Sequence, residues 1–474
     1  AVMLYNNVSP GLTGGILVAN GAIFRNNITS IDTRYYQNFY PYSIPTGWQG
    51  QPRDYFSTIK LCQFIVDDDF PHEDKFHAFI NLMDVNGVTI TGCSFTNAMT
   101  DAGNSIADWG YGIFATDAGF RVQGLCNGST YPCEDYTRSE FRGLGYGIFT
   151  GVVIGSIDAP YTVRQADFHD CFVGIHNRGV MGGIMLHNDF YLGNLPSLDL
   201  TLDQIGIALN NSINIMTLEE NNFIEVAGDE SIRTFGISSF NIGATNKTIR
   251  RNTFTGVNVG NEAGGICGDN DSGLLYECNF NTGNTEFDFL ICDNDFFGTN
   301  RIKKDQVSME QDGDIATGNR FSNTGSPTDR DFSNQGGFPI DYYHKINGGA
   351  LEIPDEYSGI DNLIEITENE CPVTYCEPPC KTPSEVALLK QAFYTEKGNY
   401  QIAYGEYENA LNNGNDALAA QKLSEASRHR QLMDENGWLV LVHAMYDTLT
   451  WNRDTIRKWL SNMDYFGTEM TLAF

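Results

Sequence analysis

A six-residue pattern of apolar and small residues recurs along the chain. Each copy has an apolar residue, two variable residues, a small residue or Asn, one variable residue and then Phe. The copies that end in Phe are Ile59–Phe64, Ile90–Phe95, Tyr136–Phe141, Val163–Phe168, Met185–Phe190, Leu218–Phe223, Ile249–Phe254, Leu275–Phe280, Ile291–Phe296 and Ala316–Phe321. Two looser copies are Ile23–Ile28 and Ile366–Cys371. Such a recurrence is typical of a solenoid in which each copy builds one coil.

Two positions of the pattern predict ladders inside the solenoid. The small residue or Asn suits an inward corner, where amides from successive coils hydrogen-bond to one another. The Phe ring is expected to stack on the Phe of the next coil. The predicted ladder residues are Phe64, Phe95, Phe168, Phe190, Phe223, Phe254 and Phe280, with Asn188, Asn221 and Asn252. Residues expected to fill the corner as small buried groups are Cys62, Cys93, Ala166 and Cys278.

Gly-Ile pairs such as Gly147-Ile148 and Gly174-Ile175 mark the start of a further strand in each coil, with Ile pointing inward. Most intervals between the Phe positions are 22 to 46 residues, which fits three short strands plus loops. The interval from Phe280 to Phe296 is shorter, at 16 residues. We therefore predict an all-β right-handed parallel β-helix of three-strand coils over residues 1–372. A β-sandwich with Asn-rich turns is the alternative.

The pattern changes after Cys371. Residues 373–383 are rich in Cys and Pro and predict a rigid linker, because Pro fits neither a strand ladder nor a helix interior. The run Thr382-Pro383-Ser384-Glu385 predicts a helix start. Residues 384–474 are expected to be α-helical and to continue in a longer protein. Residues 398–411 resemble half of a tetratricopeptide repeat, and a plain helical connector is the alternative.

The charge of the chain limits its partners. Asp and Glu outnumber Lys and Arg by 60 to 29, which gives a formal net charge of −31. Nucleic acids and anionic membranes are polyanions, so we expect neither as a partner. The chain has no run of about 18 apolar residues, so we expect no insertion into a membrane.

The eleven cysteines favour an oxidising exterior. Cys126 and Cys133 flank a turn-rich loop and are predicted to form a disulfide, the alternative being two loop thiols. Two interpretations remain open for Cys371, Cys376 and Cys380. They form either one disulfide with a third thiol paired elsewhere, or a zinc site. A closed zinc site needs four ligands, and no fourth lies near in sequence.

The densest acidic run contains Asp67, Asp68 and Asp69. It suits calcium, paired carboxylates for glycoside hydrolysis, or a solvated loop. Arg301-Ile302-Lys303 matches one part of a polygalacturonase signature, but the companion Gly-His-Gly is absent. We predict no catalytic residues and no obligatory cofactor. A carbohydrate-active β-helix enzyme, either a polysaccharide lyase or a glycoside hydrolase, is the alternative.

The Asn-x-Phe coils, the Cys/Pro linker and the helical segment that begins Pro383-Ser-Glu-Val resemble one group over nearly the whole chain. This group is the large secreted β-helix surface proteins of gliding Bacteroidota, the substrates of type nine secretion. It includes the proteins of grappling-hook filaments. The resemblance implies an extracellular, cell-surface location and a structural or adhesive role in an appendage. It also implies a homo-oligomer whose partners are other cell-surface molecules or carbohydrate.

Overall fold

The structure is a computed structural model of the chain. It describes residues 1–5, 17–36, 57–72, 75–100, 105–106, 108–127, 135–152, 161–180, 182–195, 203–212, 216–226, 232–292, 300–310, 313–322, 330–346, 351–366 and 383–413, with further single residues or short runs between 415 and 429. Most of these residues are in strands that pair in parallel. The predicted parallel β-helix is confirmed.

Three parallel sheets run along the solenoid, and the chain visits them in turn. Sheet A contains β1 (Val2–Tyr5), β4 (Thr29–Tyr36), β7 (Ala78–Thr91), β9 (Tyr111–Thr116), β14 (Tyr146–Gly151), β17 (Val173–Arg178), β20 (Gln204–Asn210), β23 (Thr234–Phe240), β26 (Val259–Gly264), β29 (Phe287–Ile291), β33 (Arg330–Asn334) and β35 (Tyr357–Ser358). Sheet B contains β2 (Val18–Asn20), β5 (Ser57–Lys60), the second half of β7, β10 (Gly119–Gln123), β15 (Tyr161–Arg164), β18 (Gly183–Leu186), β21 (Thr217–Glu219), β24 (Lys247–Arg250) and β27 (Leu274–Glu277).

Sheet C contains β3 (Ile23–Arg25), β6 (Gln63–Val66), β8 (Ser94–Asn97), β13 (Ser139–Arg142), β16 (Ala166–His169), β19 (Asp189–Leu192), β22 (Asn222–Glu225), β25 (Thr253–Thr255) and β28 (Phe280–Thr282). A short parallel sheet follows in the last coils, formed by β30 (Asp305–Gln306), β34 (Asp341–Lys345) and β36 (Asn362–Ile366). Two antiparallel hairpins stand outside these sheets: β11 (Leu125–Cys126) with β12 (Tyr136–Thr137), and β31 (Ser308–Glu310) with β32 (Gly313–Ile315).

Phenylalanine rings form one continuous column inside sheet C. Neighbouring rings are stacked with centroids 4.6–4.9 Å apart and planes within 9° of parallel. This distance equals the spacing between hydrogen-bonded strands, because in-register strands place identical side chains directly above each other. The column comprises Phe24, Phe64, Phe95, Phe141, Phe168, Phe190, Phe223 and Phe254. It begins at Phe24, whereas the sequence pattern pointed to Ile28.

A row of glycines in sheet A faces the phenylalanine column. A Cβ placed on Gly174 would lie 2.7 Å from the Phe190 ring and 2.6 Å from the Gly206 carbonyl oxygen. The same contacts recur along the row at Gly147, Gly206 and Gly236. The Gly-Ile pairs therefore have a steric cause, since any side chain at Gly would overlap the ring of its own coil.

Asparagine amides form the second ladder. Asn188 Nδ2 donates to Asn221 Oδ1 at 2.9 Å, and Asn221 Nδ2 donates to Asn252 Oδ1 at 3.0 Å. The backbone N–H of Asn188 donates to the same Asn221 oxygen at 3.2 Å, and Asn221 Nδ2 also donates to the Met185 carbonyl oxygen at 2.9 Å. These three asparagine side chains are fully buried. Their amides pair with amides of the same kind in the adjacent coil, which offsets the cost of burying them.

The prediction for Phe280 and Cys278 is wrong. Phe254 pairs in register with Asn281, and Phe280 pairs with Thr253 on the outer side. Asn279, not Cys278, continues the asparagine ladder and accepts from Asn252 Nδ2 at 3.3 Å. A shift of one residue turns every side chain of a strand to the other face, so Phe280 leaves the core. Cys278 is disulfide-bonded.

Contacts divide the chain into two compact units, and the second includes Pro372–Phe474. Its described residues include the helix α1 (Pro383–Asn412), with Pro at its first position, and further helical residues between 418 and 429. Phe393, Ala403 and Ala410 are the buried side chains of α1 among those described. The helix is continuous over 30 residues, and the resemblance of residues 398–411 to half of a tetratricopeptide repeat stays a prediction. Within the described residues, no helix combines the length and apolarity that a membrane span requires.

Truncating the phenylalanine column is expected to destabilise the solenoid. Phe223→Ala removes a fully buried ring stacked on both sides, at a cost of about 3–5 kcal/mol of unfolding free energy. Phe280→Ala is the matched control, because that ring is outside the column. Chemical denaturation followed by circular dichroism measures both. Equal losses for the two variants would contradict the assignment of the column.

Candidate binding surface

Two carboxylates of the acidic run each have a partner within the protein. Asp67 accepts from Asn26 Nδ2 at 2.8 Å and forms an ion pair with Arg25. Asp68 accepts from the Thr100 backbone N–H at 2.7 Å. The hydrogen bond from Asn26 lowers the pKa of Asp67. The carboxylates of Asp67 and Asp68 therefore serve separate partners, and among the described residues no group of three His, Cys, Asp or Glu side chains is arranged to hold a metal.

The cysteines fall into two sets. Cys126 is disulfide-bonded, and its predicted partner Cys133 lies outside the described residues. Cys371, Cys376 and Cys380 also lie outside the described residues. Cys62, Cys93, Cys171 and Cys267 are free thiols among the described cysteines. Burial raises the pKa of the Cys93 and Cys171 thiols to about 12, so these two groups are packing elements and not nucleophiles.

An aromatic surface lies on the outer side of sheet A. Tyr111 registers with Tyr146, and Phe114 registers with Phe149. The ring centroids of these two pairs are 5.0 Å and 5.1 Å apart, and the pairs are stacked. His176 on β17 registers with Phe149, and its ring contacts both pairs, with centroids 5.7 Å from Tyr146 and 5.2 Å from Phe149. We call these five side chains the outer aromatic face.

The glycine row produces this face. Each of the two strands reads Tyr-Gly-Ile-Phe, with Ile113 or Ile148 buried in the core. Because Gly lies beneath the phenylalanine column, Tyr and Phe on either side of the Gly-Ile pair both turn outward. The five rings are half-buried. The tetrapeptide occurs identically at residues 111–114 and 146–149, a signal that sequence reasoning missed because it followed only the inward positions.

The outer aromatic face carries no net charge. Burial, together with the nearby Arg178 charge, lowers the pKa of His176 to about 4, so its ring is neutral at neutral pH. Burial raises the pKa of Tyr111 and of Tyr146, which keeps both hydroxyls protonated. A neutral patch on a chain of net charge −31 is a place where a partner approaches without meeting local negative charge.

Amide groups border the face at both ends. Asn81 on β7 registers with Phe114, and its Nδ2 donates to Asp32 Oδ1 at 2.8 Å. At the other end, Asn210 Nδ2 lies 2.9 Å from His176 Nε2. Apolar rings with hydrogen-bonding groups at the rim have the composition of a recognition surface.

A charged cluster lies on the outer side of sheet C. Glu140, Asp167 and Asp189 are on consecutive rungs. Arg138 contacts Asp167 Oδ1 at 2.5 Å and Asp189 Oδ2 at 3.1 Å, and its Nη2 donates to two backbone carbonyls. Burial raises the pKa of Asp167, which the charge of Arg138 opposes. The guanidinium thus acts as a clamp across neighbouring coils.

A buried acidic group replaces glycine in the last coils. Asp288 and Asp331 occupy the position before the inward Phe289 and Phe332, which is the glycine position of earlier coils. Both carboxylates are buried. The glycine that faces Asn281 is Gly260, where a Cβ would lie 2.7 Å from Asn281 Oδ1, so Asp288 belongs to the coil that follows.

Hydrogen bonds hold these acids in place. Asp288 accepts from Asn284 Nδ2 at 2.8 Å and from Ser322 Oγ at 2.7 Å, and Asp331 accepts from the Asp355 N–H at 2.8 Å. Burial, together with the charges of Asp288 and Asp355, raises the pKa of Asp331 to about 8. The carboxyl is enclosed, so its raised pKa is a property of the fold and not of a reaction site.

Comparison with known proteins gives no independent lead. No protein-family model matches the chain, and no curated protein or solved structure matches it. The function is therefore argued from the contacts, burial and charge described above.

Asp331 is expected to make stability depend on pH. Its folded pKa, about 8, lies above the ordinary value of 3.8, so the fold binds a proton that the unfolded chain releases. The resulting stabilisation is complete below about pH 4 and declines as pH rises through 8, by at most about 1.4 kcal/mol per pH unit. Scanning calorimetry should show that Asp331→Asn flattens the fall in melting temperature over the roughly four pH units between pH 5 and pH 9. Asp361→Asn is the control, because Asp361 is exposed, and it should leave the fall in melting temperature unchanged. A wild-type melting temperature that does not fall with pH would contradict the raised pKa of Asp331.

Proposed function

We propose that this chain is a structural and adhesive segment of an extracellular cell-surface appendage or filament that binds other cells or surfaces. The observation that carries the proposal is the neutral outer aromatic face, held on a solenoid by the phenylalanine and asparagine ladders. Other cell-surface molecules or carbohydrate are its partners, and further copies of the chain build the appendage.

The ladders support the mechanical part of the proposal. Each rung is fixed to the next by backbone pairing, ring stacking and, in the later coils, amide hydrogen bonds. A solenoid distributes its stability over such nearest-neighbour interfaces, so a long array resists bending without one large core. Stacked rings and paired amides suit a part whose task is to transmit force.

The cysteine chemistry and the charge support an extracellular location. Cys126 and Cys278 are disulfide-bonded, and disulfides persist in oxidising surroundings. A net charge of −31 keeps a protein soluble in salt water and repels nucleic acid and anionic lipid. Both properties fit a protein that acts outside the cell.

The chemistry of the outer aromatic face limits its ligands. Because Tyr146 is stacked between Tyr111 and His176, its ring presents an edge to the outside and not an open face. The exposed ring edges, together with the amide groups that border the outer aromatic face, suit contact with a flat, neutral surface of a glycan or protein. An anionic polymer is disfavoured by the charge of the chain.

Removing two rings is expected to abolish most of the adhesion. Tyr146→Ala combined with Phe149→Ala should cost about 2 kcal/mol or more of binding free energy, or about 30-fold in Kd, as for central aromatic contacts. Binding of the purified protein to whole cells and to immobilised neutral glycans measures this. The control is His169→Ala with Tyr191→Ala, a stacked pair with centroids 4.3 Å apart on the outer side of sheet C.

Electron microscopy of the native material tests the appendage itself. Filaments or rings built from repeated copies are expected. Dispersed single rods at high protein concentration would rule out the appendage, and unchanged cell binding by the Tyr146 and Phe149 variant would rule out the outer aromatic face as the adhesive surface.

The second candidate is a carbohydrate-active enzyme. It is favoured by Asp167 and Asp189, two carboxylates on adjacent rungs, one with a raised pKa. Adjacent rungs are about 4.8 Å apart, close to the carboxylate separation of about 5–5.5 Å in retaining glycosidases. Against it, Arg138 fills the space between the two carboxylates.

Incubation with acidic and neutral polysaccharides separates the two candidates. We expect no cleavage with or without calcium, because the clamp leaves neither carboxylate free to act on a substrate. Reproducible cleavage that disappears in Asp167→Asn and in Asp189→Asn would replace the adhesive proposal with the enzymatic one.

A further inference from the structure

One coil of the solenoid carries polar side chains at the inward positions of all three of its strands. These strands are β26, β27 and β28, and the inward residues are Asn261, Tyr276 and Asn281. The three side chains are 0%, 1% and 3% exposed. Buried amides and hydroxyls are unfavourable unless each finds a hydrogen-bond partner. The residues in register in the coil before are all apolar, namely Ile237, Ile249 and Phe254.

The Asn261 amide has no partner within the described part of the chain. Both its Nδ2 and its Oδ1 are buried without a hydrogen bond. Turning the amide over exchanges the two atoms and therefore satisfies neither. In the asparagine ladder, by contrast, Asn221 Nδ2 donates to Asn252 Oδ1 at 3.0 Å. Asn261 has no amide in register on either side, because its neighbours are Ile237 and Phe289.

Two further groups in or next to this coil are buried without a partner among the described residues. They are Tyr276 Oη and Asn284 Oδ1. The ring centroid of Tyr276 lies 4.9 Å from that of Phe289, which registers with Asn261. Asn284 Nδ2 donates to Asp288 Oδ1 at 2.8 Å, which leaves Asn284 Oδ1 as an acceptor. The interior at this coil therefore contains both donors and acceptors that need a partner.

The mixture of donors and acceptors identifies the occupant. A metal ion would pair with Asn261 Oδ1 but would leave Nδ2 unpaired. A water molecule accepts from Nδ2 and donates to Oδ1, and a buried water makes about three hydrogen bonds. Burial raises the pKa of Tyr276, so its hydroxyl keeps its proton and donates to water as well. Asn261 and Asn281 are also smaller than the Ile and Phe side chains in register with them in the coil before.

We propose that the interior of this coil binds ordered water, with one molecule hydrogen-bonded to the Asn261 amide and further water at Tyr276 Oη and Asn284 Oδ1. Water takes the part that the next amide plays in the asparagine ladder. A polar layer can then follow an apolar one within a single continuous interior. This water site goes beyond the proposed adhesive function and does not depend on it.

A high-resolution crystal structure of the whole chain tests the site directly. A water molecule is expected within about 2.7–3.2 Å of both Asn261 Nδ2 and Asn261 Oδ1. Crystals soaked in a rubidium salt distinguish a cation, since rubidium gives an anomalous signal and water does not. An anomalous peak beside Asn261 Oδ1, a protein group bonded to the amide, or no bound molecule at the amide overturns the proposal.

Water magnetic relaxation dispersion tests the site in solution, because it counts long-lived internal water molecules. Asn261→Ile should fold, since Ile occupies this position in the two preceding coils, and should lower the count by at least one. Asn222→Ile is the matched control. Asn222 lies on the outer side of sheet C, where its Nδ2 donates to Asp189 Oδ1 at 2.6 Å, so the count should not change.

The two variants and the crystal structure together decide the outcome. An unchanged count in Asn261→Ile, with folding checked by circular dichroism, overturns the proposal, and so does an equal fall in both variants. If Asn261→Ile does not fold, the water molecule at the amide in the wild-type crystal structure decides.

Discussion

Backbone pairing between successive coils sets a repeat of about 4.8 Å along the axis, and every other feature of the solenoid conforms to it. Side chains in register must pack against their own counterparts at that distance. A planar ring does so well, and the column from Phe24 to Phe254 results. An amide does so because it both donates and accepts, as Asn188, Asn221 and Asn252 show.

The same repeat controls what lies opposite and outside the column. The phenylalanine rings occupy the space in which a Cβ of sheet A would stand, so glycine follows in each coil. Glycine in turn leaves Tyr and Phe facing outward on β9 and β14. Where Asn281 replaces phenylalanine, Gly260 still faces it, and Asp288 takes the glycine position only in the coil that follows. An interior packing rule thus decides the character of the outer surface.

Charge and shape divide the surface of the solenoid into regions with different uses. The outer aromatic face is neutral, and the cluster around Arg138 is locally compensated. A strongly acidic protein associates through the parts of its surface that lack its charge. The proposed adhesion therefore uses the outer aromatic face.

The fold class could be predicted from the sequence because stacking in register requires the same type of residue at the same position of each coil. Phe64, Phe190 and Phe223, like Asn188 and Asn221, were identified by spacing alone, since a local pattern repeated many times has few other structural explanations. The pattern failed at Cys278 and Phe280, because a motif of six residues leaves the strand register undetermined by one position. The surfaces were decided only by the tertiary structure. The Asp67 and Asp68 carboxylates are adjacent in sequence but bind different partners. Tyr111 and His176 are 65 positions apart in sequence, yet they share one face because their strands lie on the first and third of three consecutive rungs.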